Sequence, residues 1–249
     1  VYQFTLIGIA ASRAGSGKST VANSLVHKAG FVHIPFAGPL KRVGTAVLLE
    51  AGLTELDARR FLYCDKHSEI PGIGVTGRHL LQTLGTEWGR RQIRPNLWLD
   101  LWLRQIDIQR KRAWRESRPC RIVVDDVRFR NEAELIRKMG GFNWLVERPR
   151  SREDSLRDLR QRFSPLQLIR HPGRLLPWRL LAPLHASEGG LNGYRRFTAH
   201  IRNDGTIHDL LAQSWEELAK LHIRPDAATW AHRGFDAPCR SQEPPKEPA

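Results

Sequence analysis

The stretch Ala11–Thr20, ASRAGSGKST, decides the fold. Before it, Phe4–Ala10 is an apolar run that reads as a buried strand, and after it Lys18–Ala29 reads as a helix. A strand, a glycine-bearing turn and a helix, in that order, are the setting in which a G-x-x-x-x-G-K-[ST] loop cradles phosphate. Gly15 and Gly17 free the backbone of Cβ clashes, so successive N–H groups can converge on one anion. The helix opening at Lys18 adds the positive end of its dipole. Lys18 suits the space between the terminal phosphates of a triphosphate, and Ser19 offers a hydroxyl to Mg²⁺. Ala14, Ser16 and Thr20 complete the loop. Ser12 stands where the pattern has its first glycine, a small polar residue in place of the smallest.

Outward from the loop, strands and helices alternate. Phe31–Phe36 reads as a second strand, followed by Gly38-Pro39 and a helical segment through Glu50, and Glu55–Tyr63 reads as another helix. Arg78–Leu84 has helical spacing. From Asn96, NLWLDLWLRQIDI repeats large residues at helical intervals, with Leu97, Leu101 and Ile108 beside Trp98 and Trp102, and most of these tryptophans are expected in the core. Arg121–Asp125, Phe142–Glu147 and His200–Asn203 read as further strands, with helices over Asn131–Met139 and Ile207–Leu221. Such alternation predicts an α/β fold: a three-layer α/β/α arrangement around a mainly parallel sheet.

Two stretches break the rhythm. Residues 150–184 are rich in arginine and proline and read as an insertion. Residues 224–249 are proline-rich and polar and read as a disordered tail after a domain spanning 1–223. Lys and Arg number 40 against 26 acids, a formal charge of +14, which favours anionic partners: nucleotides, DNA or an acidic surface. No apolar run approaches the length of a membrane span, and three widely spaced cysteines suggest neither a zinc site nor a disulfide framework, so a cytoplasmic protein is expected. Whether the chain forms a homodimer is open at this point.

A phosphate loop alone leaves switch, motor and kinase open. The segment RIVVDDVRFRNEAE ends a strand in two carboxylates, and Asp126 is the candidate to hold a Mg²⁺-bound water opposite the loop, with Asp125 capping or assisting. Lys41, Arg78, Arg90 and Arg128 are cations set near strand ends on the loop side, where ligands bind in open parallel sheets, and they could clamp a second phosphate.

In their order along the chain, AGSGKSTVA, FAGPLK, RHLLQTLGTEWGR, IVVDDVRFRNEAE, HASEGGL and IRNDGTIHDL resemble the successive motifs of the phage-type deoxynucleoside monophosphate kinases. LQTLGTEWGR and DDVRFRNE are the specific ones. The resemblance spans roughly Leu6 to Leu221 and implies a P-loop kinase fold, ATP with Mg²⁺, and a bacteriophage-like role in deoxynucleotide metabolism. It implies that Gly15–Ser19 bind the ATP phosphates and that Arg78, Gln82, Thr86 and Arg128 bind the acceptor, with Lys41 and Arg90 nearby. It also implies a lid region closing at His185 and Glu188 and an Arg148 that reaches the transferring phosphate, while Trp88 is open between stacking on a base and a place in the core. Departures are Ser12, Arg130 where relatives carry proline, and a longer, more basic lid segment.

The expected reaction is transfer of the ATP γ-phosphate to a deoxynucleoside monophosphate. The arginine-rich insertion supports one alternative: a kinase acting on a hydroxymethylated pyrimidine within DNA, gripped through its backbone. A nucleic-acid-binding module with a silent phosphate loop is a third reading.

Overall fold

The structure, a computed structural model, describes residues 3–11, 13, 15–149, 190, 191 and 193–223. The strands are β1 (Phe4–Ala11), β2 (Val32–His33), β3 (Cys120–Val127), β4 (Phe142–Glu147) and β5 (Ala199–Arg202). They form one five-stranded sheet in the order β2-β3-β1-β4-β5. The pairs β2–β3, β1–β4 and β4–β5 are parallel, with Ile7 opposite Phe142 and Glu147 opposite Arg202. Six successive residues of β1, Thr5–Ala10, are buried, which requires cover on both faces of the sheet. This is the mainly parallel, covered sheet expected of a P-loop kinase. The expected lid at 150–184 and the tail at 224–249 lie outside the described residues.

The chain divides into two compact units. One takes residues 3–6 and Leu25–Asp126 and carries α2 (Gly38–Glu50), α3 (Glu55–Arg59), α4 (Gly77–Gln82) and α5 (Leu97–Arg115). Within it, Trp102 is fully buried, its indole N–H donates to the Ile34 carbonyl at 2.8 Å, and its ring lies 4.4 Å from that of Phe36. Burying such a side chain contributes ~4–6 kcal/mol of transfer free energy before ordering costs. A second cluster joins Leu48, Ala58, Phe61, Leu62 and Ile70. The buried face of α5 differs from the expected stripe. Trp98, Leu99, Trp102, Ile106 and Ala113 point inward, whereas Ile108 and Trp114 are exposed. The two buried tryptophans are core, as expected.

The other unit takes Ile7–Ser24 and residues 127–223, with α1 (Lys18–Ala29) beginning in it and α6 (Arg130–Lys138) and α7 (Ile207–Ala219) wholly inside. Here α6 approaches the sheet so closely that a Cβ on Gly8 would lie 2.2 Å from Ile136 Cδ1. A larger residue there would displace the Ile136 side chain and crowd Val127 and Asn143. Asn143, buried on β4, ties the sheet to α6 through its amide and the Ala133 carbonyl at 2.9 Å.

Two helical stretches loosen into π geometry. Arg60–Cys64 continues α3, and Thr83–Ile93 continues α4. The bonds from Asp65 N–H to Arg60 O and from Arg94 N–H to Gly89 O close the wider five-residue turn at 2.9 and 3.0 Å. The helix expected over Arg78–Leu84 therefore runs on to Ile93 in a different winding.

Candidate active site

The phosphate loop leaves β1 at Ala11 and reaches α1 at Lys18; Ser12 and Ala14 lie outside the described residues. Gly15 and Gly17 have φ of +73° and +97°, a region closed to most L-residues. Three loop carbonyls are engaged by side chains. Ser16 Oγ donates to Arg13 O at 2.8 Å, Asn203 Nδ2 donates to Ser16 O at 3.0 Å, and Arg148 Nη1 makes a long 3.5 Å contact to Gly15 O. In a trans peptide the C=O and the following N–H point in opposite directions. Holding the Ser16 and Gly15 carbonyls toward these donors therefore turns the Gly17 and Ser16 N–H groups the other way. That is the arrangement an anion cradle needs. Arg13 in turn donates to the Pro149 carbonyl at 2.5 Å, so both sides of the loop are tied to the end of β4. At the start of α1, Lys18 and Thr20 are half-buried and Ser19 is exposed.

The acidic pair closes β3. Asp126 accepts the backbone N–H of Phe36 at 2.7 Å on one oxygen and of Ala37 at 2.9 Å on the other. Ala37 is the N-cap of α2 and has no side-chain oxygen, so a carboxylate from β3 supplies the cap. Asp125 bonds His33 Nε2 at 2.6 Å. Burial disfavours the imidazolium of His33, but the Asp125 hydrogen bond and the charges of Asp125 and Asp126 outweigh it, and the pKa is raised. Sequence reasoning missed His33, which sits in FVHIPF as an ordinary-looking polar residue. It also missed Glu132: buried, this carboxylate accepts the N–H groups of Arg128 and Phe129 at 2.8 and 3.0 Å and fixes the turn that presents Arg128, itself exposed.

Taken singly, Asp126 and Ser19 carry donors of the kind a magnesium ion takes. A serine hydroxyl and a carboxylate are hard oxygen ligands, and each Asp126 oxygen retains a lone pair beyond its one N–H. Among the described residues no group of three or more His, Cys, Asp or Glu side chains is placed to hold a metal ion alone.

The candidates for a second nucleotide lie on α2, α4 and the π stretch, which pack on one another within one unit. Lys41 lies over the Tyr63 ring, 4.0 Å from its centroid. Arg78 is exposed, Gln82 and Arg90 are half-buried, and Thr86 is buried. Trp88 is 40% exposed, with its ring 6.4 Å from that of Trp98, so it is partly packed and partly accessible. Trp98 is a further residue that sequence reasoning left in the core. Its indole N–H donates to the Gly85 carbonyl at 2.8 Å, and a Cβ on Gly89 would fall 2.5 Å from the same nitrogen. The two glycines of LQTLGTEWGR are thus the seat of Trp98 against the π stretch. The loop, Arg128 and Arg148 belong to the other unit, while Asp126 ends the first. His185 and Glu188 lie outside the described residues.

No family model matches the chain. A protein of Acanthamoeba polyphaga mimivirus, provisionally named deoxynucleotide monophosphate kinase, is 30% identical over 150 residues, covering 58% of this chain and 74% of that protein. Solved structures similar to the chain include a sugar kinase from Janibacter sp. HTCC2649, with TM-score 0.40 and 14% identity over 93% of this chain and 100% of that one. A gluconokinase from Sinorhizobium meliloti 1021 gives 0.37 and 16% over 88% and 93%. Dephospho-CoA kinase from Campylobacter jejuni gives 0.40 and 16% over 88% and 97%. Among the described residues no helix is long and apolar enough to cross a membrane. With 74% of the mimivirus protein matched at 30% identity, the chain belongs to the deoxynucleotide monophosphate kinase family and is an ATP-dependent P-loop kinase.

Proposed function

We propose that the protein transfers the γ-phosphoryl group of ATP to the 5′-phosphate of a deoxynucleoside monophosphate, giving ADP and a deoxynucleoside diphosphate. The observation that carries this reading is the packing of α2, α4 and the π stretch into one cluster that bears Lys41, Arg78, Gln82, Thr86, Trp88 and Arg90. A cluster with cations, hydrogen-bonding side chains and an accessible aromatic matches a phosphate, a sugar and a base.

An oxygen of the acceptor phosphate attacks the γ-phosphorus in line, and the bond to the β–γ bridging oxygen breaks. With a second pKa near 6, the acceptor is mostly dianionic at neutral pH, so no strong general base is needed. The barrier is the mutual repulsion of phosphates, and the residues act on that. Gly15–Ser19 hold the ATP phosphates through their N–H groups, and Lys18 neutralises the terminal pair. Arg128 and Arg148 follow the ends of β3 and β4 and are assigned to the acceptor and transferring phosphates. Ser19 and Asp126 would hold Mg²⁺, whose chemistry here is to offset phosphate charge. Residues 150–184, with His185 and Glu188, keep the lid assignment made from sequence, within a catalytic domain of residues 1–223.

Replacing Lys18 by Ala is expected to lower kcat by ~10²–10³-fold or more, the scale on which preorganised charge stabilisation acts. Replacing Arg128 by Ala is expected to reduce kcat/KM for the acceptor far more than KM for ATP. Steady-state assays coupled to ADP release measure both, and near-normal rates in both variants would remove this mechanism.

A further inference from the structure

The corner between β5 and α7 holds none of the groups assigned to substrate or metal, yet it is built against the phosphate loop. Asn203 follows β5, and its Nδ2 donates to Ser16 O at 3.0 Å. A carbonyl can only accept, so the amide must face it nitrogen-first. The corner is stiff around this contact. The Asn203 backbone N–H donates to Glu147 O at 2.7 Å, which anchors it to β4. One residue earlier, the Gln213 side chain brackets Arg202, accepting from its N–H and donating to its carbonyl, each at 2.9 Å. Thr206 and Asp209 cap α7 reciprocally, at 3.2 Å from Asp209 N–H to the threonine hydroxyl and 2.8 Å from Thr206 N–H to the carboxylate. Beyond them, Leu210 comes so near that a Cβ on Gly17 would lie 2.7 Å from its Cδ2, and 2.9 Å from Asn203 Nδ2.

We propose that Asn203 is a positioning residue for catalysis: its amide selects the orientation of the Ser16–Gly17 peptide in which the Gly17 N–H faces the ATP phosphates. Gly17 must be glycine to adopt φ of +97° in this space. The same freedom makes the preceding peptide easy to rotate. A flipped peptide would present a carbonyl where the anion binds, replacing attraction by repulsion. Asn203 opposes the flip by holding the Ser16 carbonyl toward the β5–α7 corner. The inference rests on the assignment of Gly15–Ser19 to the ATP phosphates.

The test compares Asn203→Asp, Thr206→Ala and Lys18→Ala with the parent protein, measuring ATP affinity by calorimetry, KM for each substrate, and Tm. N203D keeps the size of the side chain and turns an acceptor toward the Ser16 carbonyl. It is expected to weaken ATP binding at least tenfold and raise KM for ATP, with KM for the acceptor within twofold. T206A loosens the α7 cap and leaves the Ser16 bond, so its Tm falls while ATP affinity stays within twofold. N203A, with no repulsive group, carries the same expectation as N203D in a milder form and replaces it if N203D does not fold. ATP affinity within twofold of the parent in the Asn203 variant, or equal losses in it and T206A, overturns the inference. Unchanged ATP affinity in N203D beside a K18A protein that has lost ATP leaves the loop assignment standing and removes Asn203 alone. An unaffected K18A removes both.

Discussion

Gly17 meets two demands at once, a left-handed φ of +97° and a space already filled by Leu210 and Asn203, whereas Gly15 meets only the first, with nothing within 4 Å of where a Cβ would stand. The two glycines should therefore differ. Gly15→Ala is expected to cost about 1–2 kcal/mol of backbone strain and to keep measurable ATP binding. Gly17→Ala adds displacement of the Leu210 and Asn203 side chains to the same strain and should weaken binding much further, which calorimetry with ATP would distinguish. His33 gives a pH dependence. Its folded pKa is raised, so the Asp125–His33 pair contributes its full stability below the ordinary histidine value near 6.5 and loses it as pH rises through the folded value. Thermal melts from pH 6 to 8 should show the parent losing Tm relative to His33→Asn. Parallel curves would mean that the pair contributes no pH-dependent stability.

At the scale of elements, the π stretch Thr83–Ile93 is held in place by Trp98, whose N–H satisfies the Gly85 carbonyl. Trp98→Phe leaves that carbonyl buried without this donor. The expected loss is ~1–3 kcal/mol in urea unfolding, with a raised KM for the acceptor and an unchanged KM for ATP. Asp126→Asn replaces an acceptor by a donor opposite the Phe36 or Ala37 N–H, so it should lower stability as well as turnover. These elements also mark how far the sequence could be read. α1 and β4 matched their expected limits because apolar runs and glycines punctuate them. β2 came out far shorter than Phe31–Phe36, since Pro35 has no N–H and that of Phe36 goes to Asp126. The π winding was not legible, because apolar spacing over a few residues does not separate it from an α-helix. For the site, glycine positions and the lysine announced the loop. The capping by Asp126 and the reach of Asn203 depend on contacts between residues far apart in sequence, which no local pattern encodes; Glu132 caps N–H groups only three and four residues before it, a local signal at the start of α6 that sequence reasoning passed over.

For the whole molecule, the +14 charge is the property the kinase reading uses least. Anionic substrates gain from it through faster encounter, an effect that salt screens. If the acceptor is a free nucleotide, raising salt should depress kcat/KM gradually, and duplex DNA should compete weakly. If the acceptor is a base within DNA, retention on DNA should fall steeply with salt, in proportion to the phosphates contacted. The most direct measurement follows the label from γ-labelled ATP in parallel reactions with the four deoxynucleoside monophosphates and with duplex DNA carrying hydroxymethylated pyrimidines. The label is expected in a deoxynucleoside diphosphate for at least one free nucleotide and not in the DNA. Label confined to the DNA, or released only as inorganic phosphate, would contradict the account.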